Sequence, residues 1–220
     1  MLVIAPDFDN RIDLPGAGLC PRPVDIDQRV TGFSNLVSLR VYAFAEGLTI
    51  DGEAEDDELF IVLLLGQVDV DVNQGRAGSY ALRTDAGPRA VYLPPHDNYR
   101  LRSGRASDVA YARARPPVGA TLKAAGSFQP THGALSVQSY AESMDLALDM
   151  LAVGEVFAPR GRSGSLPERL VHVRSLEHGW AEVGGQRVAD WETLGLAPGE
   201  SVGLDVKGGA IDALVITSTV

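Results

Sequence analysis

A chain of 220 residues that is 45 % apolar can bury a sizeable core, which excludes disorder as its main state. Nineteen Lys and Arg against 29 Asp and Glu leave a formal charge of −10, the wrong sign for gripping a phosphate backbone, so nucleic acid is excluded as a partner. The single cysteine, Cys20, excludes an internal disulfide and any thiol-ligated metal cage. The longest apolar run, Leu59 to Leu65, is too short for a membrane span of about 20 residues. The opening MLVIAPDFDNR lacks the basic flank, long apolar stretch and small-residue cleavage site of a secretory signal. A cytoplasmic protein without membrane partners is therefore expected.

Proline and glycine are scattered along the chain and cut it into short apolar runs, the pattern of an all-β sandwich or barrel. Leu36 to Phe44 is rich in β-branched, aliphatic and aromatic residues. The acidic run Asp51 to Glu58 reads as a solvated loop, or as a calcium loop without EF-hand order. Leu59 to Leu65 reads as a strand buried on both faces, and Val68-Asp69-Val70-Asp71-Val72 as one with a wet face and a dry face. Asn73-Gln74-Gly75 supplies a turn; Ala90 to Leu93 and Val109 to Ala114 complete the first half. Arg115-Pro116-Pro117-Val118-Gly119 is the linker candidate, with the boundary near 117 to 130 and domains at 1–117 and 118–220. A helix is considered only near 134 to 144. Ser143 to Leu151 alternates, Leu170 to Val173 is a strand, Gly184-Gly185 makes a hairpin turn, and Ile211 to Thr217 closes the chain.

Two segments repeat one order. Glu58 to Val70 is an acidic residue, an apolar strand, a glycine turn at Gly66 and an alternating strand; Glu168 to Val183 repeats it with Gly179 at the turn. Each half then has a proline turn after a short strand, Leu93-Pro94-Pro95-His96-Asp97-Asn98-Tyr99 and Leu196-Ala197-Pro198-Gly199-Glu200-Ser201-Val202. These segments resemble the first and second cupin motifs. The first half, over residues 36 to 115, is similar to the 5-deoxy-glucuronate isomerases of myo-inositol catabolism, two-domain cupins related to the 4-deoxy-5-hexosulose-uronate isomerases of pectin degradation. The resemblance implies an all-β chain of two cupin-type antiparallel β-barrel, jelly-roll-like domains, a carbohydrate acid as substrate class, and a homodimer.

In that family the second half carries a divalent metal on a His-x-His pair, a Glu, and a His after the proline turn, a set suited to polarising a sugar carbonyl during intramolecular oxidation and reduction. Here the His-x-His position reads Arg160-Gly161-Arg162, and guanidiniums only donate hydrogen bonds. The last His position is Val202, and its first-half counterpart is Tyr99; Glu168 matches the family Glu. His172 lies four residues beyond Glu168, on the same strand face as Leu170 and Arg174.

Two readings follow. In the first, no metal is bound, and Arg160, Arg162, Glu168, His172 and Tyr99 are the candidates for holding a small sugar acid without catalysis. In the second, the protein is an aldose–ketose type isomerase that takes up Mn, Fe, Ni or Zn on a relocated set, Glu168, His172 and His178. The plainer reading of Arg160 and Arg162 is a solvated loop, and of His172 a satisfied strand histidine. His96 and His132 read as loop residues, His178 as a turn residue, and Trp180 and Trp191 as core or interface anchors.

Overall fold

The computed structural model describes residues 1–85, 87–116, 122, 124–128, 135–138, 146–151, 168–175, 178–200, 203–209 and 211–218. In chain order the strands begin β1 (Leu2–Ile4), β2 (Arg11–Leu14), β3 (Gly18–Pro21) and β4 (Val24–Asp27), followed by the short helix α1 (Gln28–Thr31). The first half continues with β5 (Leu36–Phe44), β6 (Thr49–Glu53), β7 (Glu58–Leu65), β8 (Gln67–Val72), β9 (Gly78–Arg83), β10 (Ala90–Leu93), β11 (Asn98–Ser103) and β12 (Ser107–Ala114). After it come β13 (Gly126–Phe128), β14 (Leu135–Gln138), β15 (Leu146–Leu151), β16 (Glu168–Ser175), β17 (Trp180–Val183), β18 (Gln186–Val188), β19 (Thr193–Leu196), β20 (Asp205–Lys207) and β21 (Ile211–Ser218). In the stretch near 134 to 144, where the sequence leaves a helix open, Leu135–Gln138 is a strand paired with β15. No helix among the described residues is long and apolar enough to cross a membrane.

Two compact units divide the chain, and neither is continuous in sequence. One comprises Asp7–Asp27 and Val37–Gln129; the other comprises Pro130–Val220 together with Met1–Pro6 and Gln28–Leu36. They are called the first and second units below.

In the first unit a sheet of order β13-β10-β7-β12-β5-β4 faces a second of order β6-β11-β8-β9. Their facing sides supply the core: Leu59, Ile61 and Leu63 from β7 and Tyr111 from β12 meet Val68, Val70 and Val72 from β8 and Leu101 from β11. The strict alternation of β8 produces this arrangement, burying its valines and leaving Asp69 and Asp71 outside. β7 is buried on both faces, as its unbroken apolar run requires. Gly66 makes the β7–β8 turn at φ 99, where a Cβ would lie 2.5 Å from the Ala106 carbonyl oxygen. Only glycine fits there.

The acidic run is only in part the solvated loop expected: Asp51, Glu53, Glu55 and Asp56 are exposed. Thr49–Glu53 is strand β6, Asp57 and Glu58 are buried, and Arg115 Nε lies 3.0 Å from Asp57 Oδ1. Burial still raises the pKa of the Asp57 carboxyl, against the attraction of Arg115 and Arg113.

In the second unit the large sheet runs β1-β19-β16-β21-β15-β14, facing β18-β17-β20. Val171, Val173, Leu194, Ala213 and Val215 from the first sheet pack on Ala181, Val183 and Val188 from the other. The order β10-β7-β12-β5 is thus repeated as β19-β16-β21-β15, the spatial form of the repeat seen in the sequence. Architecture is nearly all-β, built as facing sheets rather than the closed barrels expected. One turn differs from expectation: at the β16–β17 connection His178, at φ 65, takes the left-handed conformation that Gly66 takes in the first unit.

Candidate functional site

Strand β16 decides how the second unit presents its polar residues. Val171 and Val173 lie in the core, so Arg169, two residues before Val171, shares the core-facing side. Glu168, Leu170, His172 and Arg174 stand on the opposite face. The sequence reading required that face to be the barrel interior; the pairing register places it on the other side. Both faces of β16 are buried from Glu168 to Val173, so its composition carries no amphipathic signal that would set the parity.

Glu168 is buried, and its carboxylate accepts backbone N–H bonds from Ser34 at 2.5 Å and from Asn35 and Leu36 at 2.8 Å. These bonds tie β16 to the segment after α1 and occupy both oxygens. His172 is fully buried; its Nδ1 lies 3.0 Å from Thr193 Oγ1, and the Trp191 ring meets it edge-on at 6.0 Å. Burial drives its pKa down to about 3, with the Arg174 guanidinium acting in the same direction, so the ring is neutral. Arg174 itself lies over the Trp191 ring at 3.8 Å.

The relocated ligand set is not assembled. Four residues of extended strand separate Glu168 from His172, about 13 Å at 3.3 Å per residue, and His178 lies beyond the end of β16. Among the described residues no three His, Cys, Asp or Glu side chains converge as a metal site would require. Arg160, Arg162, Val202 and His132 lie outside the described residues.

Two buried polar residues of the core-facing side escaped the sequence reading. Arg169 and Thr217 stand opposite each other on β16 and β21, 5 % and 1 % exposed. Arg169 Nη1 donates to the Glu200 carbonyl at 3.2 Å, while Thr217 Oγ1 has no partner among the described residues. The signal was present as an alternation, Arg169-Val171-Val173 against Thr217-Val215-Ala213, but only the register reveals it.

In the first unit Tyr99, the counterpart of the second-motif His, is found in the core, 8 % exposed. Its ring lies 5.9 Å from that of Tyr111, which meets Tyr42 edge-on at 5.3 Å; Tyr42 in turn stacks on Phe44 at 5.3 Å. Burial pushes the Tyr99 hydroxyl up to about 12 and the Tyr111 hydroxyl well above its ordinary value. Tyr99 and Tyr111 influence each other's ionisation, yet no hydrogen bond of sound geometry joins them, and the Tyr111 Oη is buried without a partner among the described residues. Tyr42 and Tyr111, on β5 and β12, carry no sequence signal that sets them apart from other strand aromatics. On the opposite face of β7, Glu58 accepts a hydrogen bond from the Tyr92 hydroxyl at 2.9 Å. His96 is exposed, with Nδ1 3.8 Å from Asp56. A broad hollow of about 510 Å³ on the outer side of β11 is edged by Asp51, Arg100, Asp71 and Arg102, charges that pair with one another.

Residues 21–169 match the KduI/IolB family. The chain belongs to that family. No curated protein matches its sequence significantly. Among solved structures, an IolB-like protein from Salmonella typhimurium LT2 is similar at TM-score 0.70 and 12 % identity, over 99 % of this chain and 92 % of the other. The Escherichia coli pirin YhhW, solved in complex with nickel(II), is similar at TM-score 0.69 and 11 % identity over the whole of both chains. A cupin 2 conserved barrel domain protein from Leptotrichia buccalis is similar at 0.54 and 12 %, over 98 % and 92 %. At such identities these structures speak for the KduI/IolB chain's fold alone.

Proposed function

We propose that this KduI/IolB protein, a cupin-like relative of the uronate isomerases, binds a small carbohydrate acid in its second unit without a resident metal and without isomerising it. One observation carries the reading: the Arg169 guanidinium is buried on the core-facing side of the strand whose first residue, Glu168, is matched by the resemblance to the family's metal-ligand Glu. A permanent positive charge there disfavours a divalent cation and favours a carboxylate. The residue types at the family's ligand positions point the same way. Arg160 and Arg162 can only donate, Val202 has no donor atom, and the Glu168 oxygens are taken by three backbone N–H groups. A metal does not fit this set, so no step is routed through one. The Thr217 hydroxyl, opposite Arg169, adds a neutral group able to hydrogen-bond a ligand hydroxyl or carboxylate.

The test has two parts. Metal analysis of protein purified without added metal should find no stoichiometric Mn, Fe, Ni or Zn; one equivalent would overturn the metal-free reading. Calorimetric titration with glucuronate and gluconate should show binding that the Arg160→Ala/Arg162→Ala double variant and Arg169→Met each weaken at least tenfold. Equal affinity in all three proteins, or turnover of glucuronate to its keto isomer, would overturn the reading.

A further inference from the structure

We infer that the first unit holds a binding site of its own, for a three-carbon hydroxy or keto acid, between the Tyr99 and Tyr111 phenols and the Arg40 and Arg113 guanidiniums. A cavity of about 80 Å³ opens there, lined by Tyr42, Tyr99 and Tyr111 together with Ser38, Arg40 and Arg113. The second cupin motif, Pro94-Pro95 followed by Tyr99, is what brings one of the phenols to this place.

Three features give the cavity a ligand preference. The first is an unmet demand. Tyr111 lines the cavity, is 5 % exposed, and its buried hydroxyl has no hydrogen-bond partner among the described residues, which leaves a donor over for an oxygen acceptor. The second is the sign of the lining. Arg40 and Arg113 carry permanent positive charge, answered in part by Asp25 at 3.2 Å from Arg40 and by Glu55 and Asp57 at 3.5 and 3.9 Å from Arg113, and the phenols remain protonated donors at neutral pH. The one carboxylate on the lining, Asp51, is engaged by Arg100, which donates to its two oxygens at 2.7 and 3.0 Å. A donor-rich wall of this kind selects an acceptor-rich anion.

The third feature is size. At about 10–15 Å³ for each water-sized occupant, the cavity takes roughly five to eight heavy atoms, enough for pyruvate or glycerate and too few for a hexuronate. The site is also pre-formed. Arg113 is held by the carbonyls of Ala54 and Glu53 at 2.6 and 2.5 Å, Arg40 by Asp25 at 3.2 Å, and the rings by their mutual edge and stacking contacts. Little ordering is left for the ligand to impose.

The experiment is calorimetric titration of the full chain with pyruvate, D-glycerate and glucuronate, in wild type, Tyr111→Phe and Arg169→Met. Pyruvate or glycerate should bind wild type and Arg169→Met alike and bind Tyr111→Phe at least tenfold more weakly. Glucuronate binding, which rests on the second unit, should not change in Tyr111→Phe, so this site and the proposed function fail separately. Folding is controlled by urea denaturation: without ligand, Tyr111→Phe should be as stable as wild type or more so, because the lost hydroxyl had no partner among the described residues. No binding of either three-carbon acid, undiminished binding by Tyr111→Phe, or a less stable Tyr111→Phe would each overturn the inference.

Discussion

The two units repeat one strand order but have kept different polar residues at equivalent places. Glu58 and Glu168 both head the strand of the first motif; Glu58 accepts a bond from the Tyr92 hydroxyl, whereas Glu168 accepts three bonds from the backbone of residues 34–36. On the core-facing side the first unit carries three phenols, and the second carries a guanidinium and a threonine hydroxyl. A sheet order is maintained by apolar alternation, which tolerates many sequences. Polar residues inside it are constrained one at a time by their own partners. The scaffold can therefore persist while the two interiors diverge in chemistry.

The same substitution at the two glutamates tests this contrast most strongly. Glu168→Gln sets an amide NH₂ against backbone donors and should cost about 4 kcal/mol in urea denaturation, whereas Glu58→Gln keeps an acceptor for Tyr92 and should cost about 1 kcal/mol. Equal losses would break the comparison. Gly66→Ala should lower stability by about 3 kcal/mol, through the left-handed backbone and the Ala106 carbonyl oxygen in the way of its Cβ.

Acid should act on the second unit through His172. Between pH 6.5 and 3 the unfolded chain takes up a proton that the buried native ring refuses, so stability is full above pH 6.5 and falls as the pH drops toward 3. The loss between pH 6.5 and 5 is about 2 kcal/mol. Urea denaturation at the two pH values should show it in wild type, and His172→Phe should remove it. The smallest effect belongs to the other turn: His178→Gly, relieving a left-handed backbone at φ 65, should stabilise by about 0.5 kcal/mol. A loss of the size expected for Gly66→Ala would mean that the His178 side chain has a role that the Gly66 turn lacks.

Much of the fold was legible because it is written in period two. Val68, Val70 and Val72 alternate with aspartates, and one face follows directly. The repeated motif, from Glu58 and again from Glu168, announced the repeated sheet order. The parity of β16 was not legible, since Leu170 and His172 on one face are as buried as Val171 and Val173 on the other. For the same reason Arg169 passed unnoticed. Tyr99 could be placed because a proline turn precedes it at a fixed spacing. Tyr42 and Tyr111 could not, because an aromatic residue in a strand is more often plain core. The acidic run misled because six acids together read as solvated, whereas Asp57 and Glu58 are paired and buried.

The pairing of β1 with β19 bears on how the chain is made. Leu2 lies opposite Gly195, so the edge of the second unit's large sheet joins residues from nearly opposite ends of the chain, whereas its first-unit counterpart, β13 beside β10, joins neighbours. During synthesis the first unit has all its residues once Gln129 has left the ribosome, whereas β1 must wait unpaired for β19. A strand that precedes the whole first unit in sequence is thus placed only after that unit is complete.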